Sequence, residues 1–314
     1  MEFQNLIDIS EDDIHSMGAD ILDILLFDRT TRRNIIWATS DYETYGEAYN
    51  AKNSINPELI TGQNSDIIRP RVTKEKNNQL LRTKDKAEVF TPSWMCNIQN
   101  NLIDTQWFGR ENVFNVTNGH TWKATTDPVV FPSKKGFSWK KYVDEKRLEI
   151  TCGEAPYLVS RYDTVTGQAI PLIERIGLLD RKLRIINENA DSDAEWRKWT
   201  KRAFESIYGF EYQGDSLLIA RENMLFTFID YYNNRFFQKP THKEMREIAH
   251  IISWNIWQMD GICFTVPFQS ACKKYHQMSD DNCDEADSPV FCKIRDWRSK
   301  ETVFYRSLLK KERK

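Results

Sequence analysis

Apolar residues recur every three or four positions through much of the chain, which is the spacing of one face of an α-helix. Two short apolar runs, 147–152 and 207–212, lack this spacing and predict buried strands. Strands and helices therefore alternate from Leu148 onward, which predicts an α/β fold with a parallel sheet. The predicted helical faces run from Ile14 to Leu25, Met95 to Leu102, Leu172 to Ile186, Trp196 to Ala203, Leu218 to Phe236 and Met245 to Met259.

Residues that favour helix starts precede four of these faces. They are Ser10 with Asp13, Thr91 with Pro92, Asp193, and the capping box of Thr241 with Glu244. The region 50–86 is polar and has no periodicity, so it is predicted to be a long loop or arm.

Charge is segregated along the chain, although the net charge is only −2. Residues 1–66 contain thirteen Asp or Glu and four Lys or Arg, whereas residues 69–86 contain seven cations and two acids. Residues 293–314 contain nine cations and three acids. Such stretches attract a phosphate backbone, but solvated surface charge is the commoner reading. The candidate nucleic-acid contacts are Arg69, Arg71, Lys74, Lys76, Arg82, Lys84 and Lys86.

The composition is that of a globular protein with one large domain or two ordinary ones. Of 314 residues, 40% are hydrophobic and 29% charged, and no apolar run reaches the roughly 18 to 20 residues of a membrane span. The acidic N-terminus lacks the features of a signal peptide, so we expect a cytoplasmic protein whose six cysteines are thiols. The 12% aromatic content suits bulky cores or platforms for flat ligands.

Three acids follow the predicted strands, at the positions where an open parallel sheet binds ligands. Glu149 precedes the small-residue turn at Cys152 and Gly153, Glu211 ends the second strand, and Asp260 follows the next segment. Such a turn lets backbone amides approach a ligand closely, and the acids can accept hydrogen bonds from its amine or hydroxyl groups. Each acid alone is more typical of a solvated loop carboxylate or a cap.

The order of these elements resembles the adenine-N6 DNA methyltransferases of restriction-modification systems, the M subunits, in the arrangement with the cofactor motifs first. The resemblance covers about residues 80–262 and has one departure within the motifs, since Ala155 stands where the family has a second glycine. The matching residues are Glu88-Val89-Phe90-Thr91-Pro92, then Glu149, Cys152 and Gly153, then Glu211 with Ala220-Arg221-Glu222-Asn223, and finally Asp260 after Asn255-Ile256.

The resemblance implies a Rossmann-like core that binds S-adenosylmethionine and double-stranded DNA. Glu149 would hold the methionine amine, Glu211 the ribose and Asp260 the adenine edge. Residues Phe90 to Pro92, with Cys152 and Gly153, would complete the cofactor site. It also implies a restriction or second methyltransferase subunit as a partner.

The family holds the flipped adenine with a polar-Pro-Pro-aromatic tetrad, and this chain has no Pro-Pro pair. The nearest string is Ser288-Pro289-Val290-Phe291, a degenerate tetrad or a surface turn. Only 54 residues follow Asp260, too few for the remaining half of a seven-stranded sheet. The fold is therefore abbreviated, or a second polypeptide completes it. A non-catalytic cofactor- or DNA-binding subunit and an RNA methyltransferase are the alternative functions.

The C-terminal segment contains four potential metal ligands, Cys272, His276, Cys283 and Cys292. A structural zinc is one hypothesis, but the spacing lacks a CxxC knuckle and free thiols are favoured. The predicted divisions are an acidic helical and basic arm region at 1–79, a methyltransferase-like cofactor domain at 80–262, and a short Cys-containing basic segment at 263–314.

Overall fold

The computed structural model describes residues 10–74, 91–269 and 289–309. Within them the chain has a mixed α/β fold, in agreement with the predicted class. The helices are α1 (Glu11–Met17), α2 (Ala19–Leu26), α3 (Ser93–Phe108), α4 (Trp139–Asp144), α5 (Leu178–Asn189), α6 (Asp193–Glu205), α7 (Gly214–Phe236), α8 (His242–Asn255) and α9 (Tyr305–Leu309). The strands are β1 (Phe27–Asp28), β2 (Arg33–Asn34), β3 (Asn115–Asn118), β4 (Thr121–Ala124), β5 (Arg147–Glu149), β6 (Ile207–Glu211), β7 (Ile256–Gln258), β8 (Lys293–Asp296) and β9 (Glu301–Phe304).

Strands β5, β6 and β7 form a parallel sheet in chain order, with β6 at its centre. Glu149 pairs with Gly209, and Glu211 pairs with Gln258, so two of the predicted acids lie at the same edge of the sheet. Two helices connect each strand to the next. The predicted parallel sheet is confirmed. In the parts of the chain that the structure describes, no fourth strand joins it, and the other sheets are two-stranded and antiparallel.

The two faces of this sheet are covered by different parts of the chain. Ile207 and Ile256 pack in the main core, which the helices build. Tyr208, Phe210 and Trp257 point to the other face and pack in a second core with residues of β8 and α9. This alternation follows from the two-residue repeat of a strand.

The N-terminal segment is part of the main core. Gly18, with φ of 156°, separates α1 from α2, so the single predicted helix is two helices. The predicted loop is confirmed for residues 50–74, which form short 3₁₀ turns, but the alternative of an arm is wrong there, because Ile55, Ile60 and Ile68 are buried in the same core as α7. The few apolar side chains of this segment lie among short 3₁₀ turns. Their spacing along the sequence therefore has neither a helical nor a strand period. Thus residues on both sides of the predicted boundary at 79/80 share one core.

Helix α3 differs from its prediction because its buried face is polar. Met95, Ile98 and Leu102 are exposed, and the residues that face inward are hydrogen-bonded: Asn97 to Asn115, Asn100 to two backbone carbonyls, and Asp104 to Tyr142 and Arg181. Satisfied polar groups can be buried at little cost, so the apolar period pointed to the wrong face.

Helix starts agree with the predictions in part. Ser10 caps α1 through the backbone N–H of Asp13, and Thr241 with Glu244 forms the predicted capping box of α8. Pro92 rather than Thr91 occupies the N-cap of α3, and Ser192 rather than Asp193 caps α6. None of the described helices combines the length and apolar character that a membrane-spanning helix requires.

Candidate functional site

A cavity of about 770 Å³ lies at the carboxyl ends of β5 and β6. This volume is within the usual range of small-molecule sites. The predicted cofactor residues Thr91, Glu149, Cys152, Gly153 and Glu211 all line it. The parallel register explains the clustering, because the carboxyl ends of adjacent parallel strands meet at one edge.

The turn after β5 forms the floor of the cavity. Thr151, Gly153 and Ala155 all have positive φ, of 47°, 52° and 65°. Ala155 thus adopts the left-handed backbone that a glycine would take, and its methyl group is fully buried in the core rather than exposed in the cavity. The backbone N–H of Cys152 donates to the carbonyl of Phe210 at 2.8 Å, which holds the turn against β6.

Glu211 connects the turn to the start of α7. Its Oε2 accepts a hydrogen bond from the N–H of Gly153 at 2.8 Å, and its Oε1 accepts from Tyr212 and Gln213 at 2.9 and 3.2 Å. Burial raises the pKa of this carboxyl, and the three backbone donors lower it. The side chain is 9% exposed, so its remaining lone pairs are available only from the cavity.

Glu149 is the least satisfied acid of the cavity. Its Oε1 accepts a long hydrogen bond from the N–H of Tyr157 at 3.4 Å, and its buried Oε2 has no partner among the described residues. Burial raises the pKa of Glu149 well above its ordinary value, and the nearby Glu211 raises it further. A buried carboxyl without a partner is costly, and a cationic ligand group would compensate it.

Residues 38–40 form a wall of the cavity that sequence reasoning missed. The side-chain amide of Gln258 donates to the carbonyl of Ile36 and accepts from its N–H, at 2.8 and 2.9 Å. The N–H of Gly214 donates to the carbonyl of Trp37, and a Cβ at Gly214 would clash with the carbonyl of Ile36. These contacts hold the N-terminal segment against β7 and α7, and no motif in the sequence signals them.

Three aromatic side chains that the sequence did not single out also line the cavity. They are Tyr157, Tyr212 and Phe268, and the rings of Tyr212 and Phe268 meet edge to face at 6.0 Å. Aromatic walls suit flat rings such as nucleobases.

Thr91 reaches the cavity from the segment before α3. Its carbonyl accepts a hydrogen bond from the hydroxyl of Thr164 at 3.2 Å. Pro92, next to it, is the N-cap of α3 and is not among the residues that line the cavity. Phe90 and the rest of the Glu88 to Phe90 string lie outside the described residues.

Asp260 is placed differently from its predicted role. It is not among the described residues that line the cavity. Its Oδ1 accepts hydrogen bonds from the N–H groups of Ile262 and Cys263, at 2.9 and 3.0 Å, and its N–H donates to the carbonyl of Thr265. The carboxylate therefore holds a tight turn after β7, as in the alternative reading of a cap.

The structure does not bring Pro289 and Phe291 to the cavity, and Ser288 lies outside the described residues. Phe291 forms a β-bridge with Thr265, and one face of its ring lies 3.4 Å from the guanidinium of Arg306. A base could not stack on that face while Arg306 covers it. The predicted tetrad is thus displaced from the cofactor cavity, since the strand-like pairing with 264–266 determines its position.

Three of the predicted nucleic-acid residues are described, and two of them are partly buried. The ammonium of Lys74 contacts the fully buried carboxylate of Asp215 at 3.1 Å, and the N–H of Arg71 donates to Glu154. Arg69 is exposed and pairs with Asp66. Lys74 is thus a structural cation at the start of α7, whereas Lys76, Arg82, Lys84 and Lys86 lie outside the described residues.

Of the four predicted zinc ligands, Cys292 alone lies in a described part of the chain. Its buried thiol donates to the carbonyl of Gln258 at 3.3 Å, and burial raises its pKa. Residues 10–74, 91–269 and 289–309 contain no group of three or more His, Cys, Asp or Glu side chains that could hold a metal ion.

Comparison with known proteins adds no relative, because no protein-family model, curated protein or solved structure matches this chain.

Proposed function

We propose that the cavity at the carboxyl ends of β5 and β6 binds S-adenosylmethionine. The single observation that carries the proposal is the convergence of five predicted cofactor residues on this cavity from three separate segments. The proposed architecture is the first half of a Rossmann-like methyltransferase core, with β5, β6 and β7 as its first three strands.

The residues of the cavity fit the charge of this cofactor. The orphaned Oε2 of Glu149 would accept a hydrogen bond from the cationic amine of the methionine group. The N–H groups of Cys152 and Gly153 already donate to Phe210 and Glu211, so the left-handed turn would contribute its shape to the site. Ala155 is accommodated without filling the cavity. The high pKa of Glu149 would fall on binding, because an adjacent cation favours the ionised carboxylate.

The cofactor supplies an activated methyl group when bound. Glu149 and Glu211 would then act by binding and orientation, while Tyr212 and Phe268 provide an aromatic wall for the adenine ring in place of Asp260. Methyl transfer of this kind depends mainly on positioning, so the site needs no general acid or base.

The proposed reaction is methylation of an adenine amino group in DNA, as the resemblance implies. Because Phe291 lies away from the cavity, we propose that a partner polypeptide brings the base-binding residues. The same observation favours a second candidate, a cofactor-binding subunit that has no transferase activity of its own. The alternative of an RNA methyltransferase would use the same cofactor-binding residues and differ only in its substrate.

Isothermal calorimetry with S-adenosylmethionine and S-adenosylhomocysteine tests the cofactor proposal. We expect Glu149→Gln and Glu211→Gln each to weaken binding by about 1 to 3 kcal/mol, since each loses a charge-assisted hydrogen bond. Glu111→Gln, an exposed carboxylate outside the cavity, is the matched control and is expected to bind normally. Absence of heat at millimolar cofactor, with the folded protein confirmed by circular dichroism, overturns the proposal.

A tritiated-methyl transfer assay on mixed-sequence DNA separates the two candidates. We expect no transfer by the chain alone and transfer when the polypeptide encoded by the neighbouring reading frame is added. Transfer by the chain alone that Phe291→Ala abolishes would restore Phe291 as the base platform. Transfer that survives Phe291→Ala would place the acceptor site elsewhere on this chain.

A further inference from the structure

A second cavity, of about 450 Å³, lies along the outer face of α8 and carries a concentration of cations. Lys243, Arg246 and His250 recur at three- and four-residue spacing on this face, and Trp254 continues the row. At 1.5 Å per residue the row extends over about 16 Å. Other segments complete the groove, which is lined by Arg29, Lys201, Lys243, Arg246, His250 and Trp297.

The cations of this groove outnumber the carboxylates in contact with it. Glu247 pairs with Lys201 at 3.4 Å, with both side chains about half exposed, and Asp20 contacts Arg246 at 3.2 Å. Lys243 has no ion pair among the described residues. Surface pairs of this kind are weak and exchange readily with other anions.

The imidazole of His250 reports the positive potential. Burial, together with the cations Arg29, Arg295, Lys201 and Arg246, lowers its pKa to about 4. Four cations from β8, α6, α8 and the turn after β1 thus act on one ring. Lys243 and Glu247 on α8 also face the groove, and Asp28 acts on Arg29.

Tryptophan rings lie close to Arg29, which lines the groove, and to Arg295, which acts on His250 from β8. The guanidinium of Arg295 lies 5.4 Å from the ring of Trp297 and 6.0 Å from that of Trp254, and Arg29 lies 5.9 Å from Trp254. The guanidinium of Arg29 also donates to the hydroxyl of Ser253 at 2.7 and 2.9 Å. Stacking restricts these side chains, so less entropy is lost when they meet a ligand.

We propose that this groove binds the phosphodiester backbone of duplex DNA. Four cations from three segments of the chain, Arg29, Lys201, Lys243 and Arg246, line this one groove. Such a group suits a polyanion better than a single phosphate, because duplex DNA presents phosphates every 3.4 Å along each strand. The guanidinium of Arg29 matches the planar geometry of phosphate oxygens, and the exposed side chains of Lys201, Lys243 and Arg246 can follow the backbone.

The groove is separate from the proposed cofactor site. The indole N–H of Trp297 donates to Asn255 at 2.7 Å, next to the amino end of β7, whereas the cofactor cavity lies at the carboxyl ends of β5 and β6. The two cavities share no lining residue. The inference rests on the proposed function only in its choice of DNA as the polyanion.

Binding of a labelled mixed-sequence duplex, measured by fluorescence anisotropy at several salt concentrations, tests the proposal. We expect the triple variant Lys201→Gln, Lys243→Gln, Arg246→Gln to lose at least about tenfold in affinity at low salt and to lower the slope of log K against log salt by about 2 to 3. The matched control removes the same charge from exposed lysines outside the groove, Lys123→Gln, Lys134→Gln and Lys135→Gln. Equal affinity and slope in the two triple variants overturn the proposal.

His250 provides a second readout that needs no variant. Titration of its ring protons by nuclear magnetic resonance, with and without duplex, is expected to place its pKa higher in the complex, because a phosphate stabilises the imidazolium. Inorganic phosphate at the same phosphate concentration is expected to raise it less. An unchanged pKa with saturating duplex, or equal shifts with inorganic phosphate, contradicts backbone binding here.

Calorimetry with S-adenosylhomocysteine on both triple variants distinguishes the two proposals. Unchanged cofactor binding alongside lost DNA binding supports the groove. If both cofactor binding and DNA binding are unchanged, the proposal that the groove binds DNA is overturned and the cofactor proposal stands.

Discussion

The cofactor cavity and the groove on α8 differ in the sign and the exposure of their charged side chains. In the cavity, Glu149 and Glu211 are each 9% exposed and have raised pKa values. In the groove, Lys201, Lys243 and Arg246 are exposed and their only described ion pairs are with surface acids. Burial of a charge costs free energy unless hydrogen bonds or ion pairs compensate it, so a buried charge fixes the local structure. An exposed charge costs little free energy and has little influence on the fold.

The two regions should therefore respond differently to substitution. Residues of the cavity are also parts of the fold, since the Glu211 carboxylate ties the turn after β5 to the start of α7. Residues of the groove lie on an already formed helix face. Changes in the cavity should therefore alter stability and ligand binding together, and changes in the groove should alter binding alone.

The largest effect is expected for Gly214→Ala, at the wall of the cavity. The added methyl group would clash with the backbone carbonyl of Ile36, so the segment 36–40 or the start of α7 must move. We expect a loss of about 2 to 3 kcal/mol in the free energy of unfolding. Gly119→Ala is the control, because its methyl group would meet open space and only its φ of 59° is unfavourable, at about 1 kcal/mol. Urea denaturation of the two variants compares them, and equal losses would contradict the close packing at Gly214.

A pH-dependent effect is expected at Glu222, a fully buried residue of α7. Neither carboxylate oxygen has a hydrogen-bond partner among the described residues, and burial raises its pKa well above the ordinary value, with Glu11 raising it further. Burial likewise raises the pKa of Glu11 to about 8. Both acids bind protons more tightly in the folded state, so their contribution to stability is complete below about pH 4.5 and is lost as the pH rises toward 8.

Glu222→Gln replaces one of these two carboxyl groups with a neutral amide. We expect the variant to be more stable than the parent at pH 8, by about 1.4 kcal/mol or more for each pKa unit removed, and the difference to shrink at pH 5. Thermal unfolding at pH 5, 6, 7 and 8 measures this, with Glu111→Gln as an exposed control. A stability difference that is independent of pH would show that Glu222 does not titrate between folded and unfolded states.

A smaller gain is expected for Thr151→Gly in the floor of the cavity. Thr151 is exposed and β-branched at a φ of 47°, a conformation that costs such residues roughly 1 to 2 kcal/mol, which glycine avoids at some cost in chain entropy. We expect a net stabilisation of about 0.5 to 1 kcal/mol. Thr121→Gly is the matched control, since the hydroxyls of both threonines donate to a nearby backbone carbonyl and Thr121 lies in β4. Glycine should destabilise there, and destabilisation at both positions would argue against strain at Thr151.

The smallest effect on stability is expected for the groove. The triple variant of Lys201, Lys243 and Arg246 to Gln should change the free energy of unfolding by less than about 0.5 kcal/mol for each substitution, since exposed ion pairs contribute little. Chemical denaturation checks this on the same samples used for DNA binding. A loss above about 2 kcal/mol in total would place these cations among the structural charges and remove the contrast with the cavity.

Much of the cavity was predictable because its chemistry is local to strand ends. Glu149, Gly153 and Glu211 each follow a recognisable apolar run, and the parallel register of neighbouring strands brings them together. Ala155 was the doubtful position, and its backbone nevertheless adopts the left-handed conformation of the glycine it replaces. Asp260 and Phe291 were misplaced, because local turn hydrogen bonds and a bridge to Thr265 determine their positions.

Elements that depend on short-range interactions could be predicted from the amino-acid sequence. The capping box at Thr241 and the helical periods depend on residues a few positions apart. The helical prediction is wrong at its end for residues 256–258, which form the third strand of the parallel sheet. Tertiary packing was needed to show which helix faces are buried, as in the polar inner face of α3, and which distant residues meet. Ile36, next to the wall at 38–40, meets Gln258, and Arg29 and Arg295 act on the same ring of His250. Each of these pairs is separated by more than 200 residues of chain, and contacts over such separations have no periodic signature in the sequence.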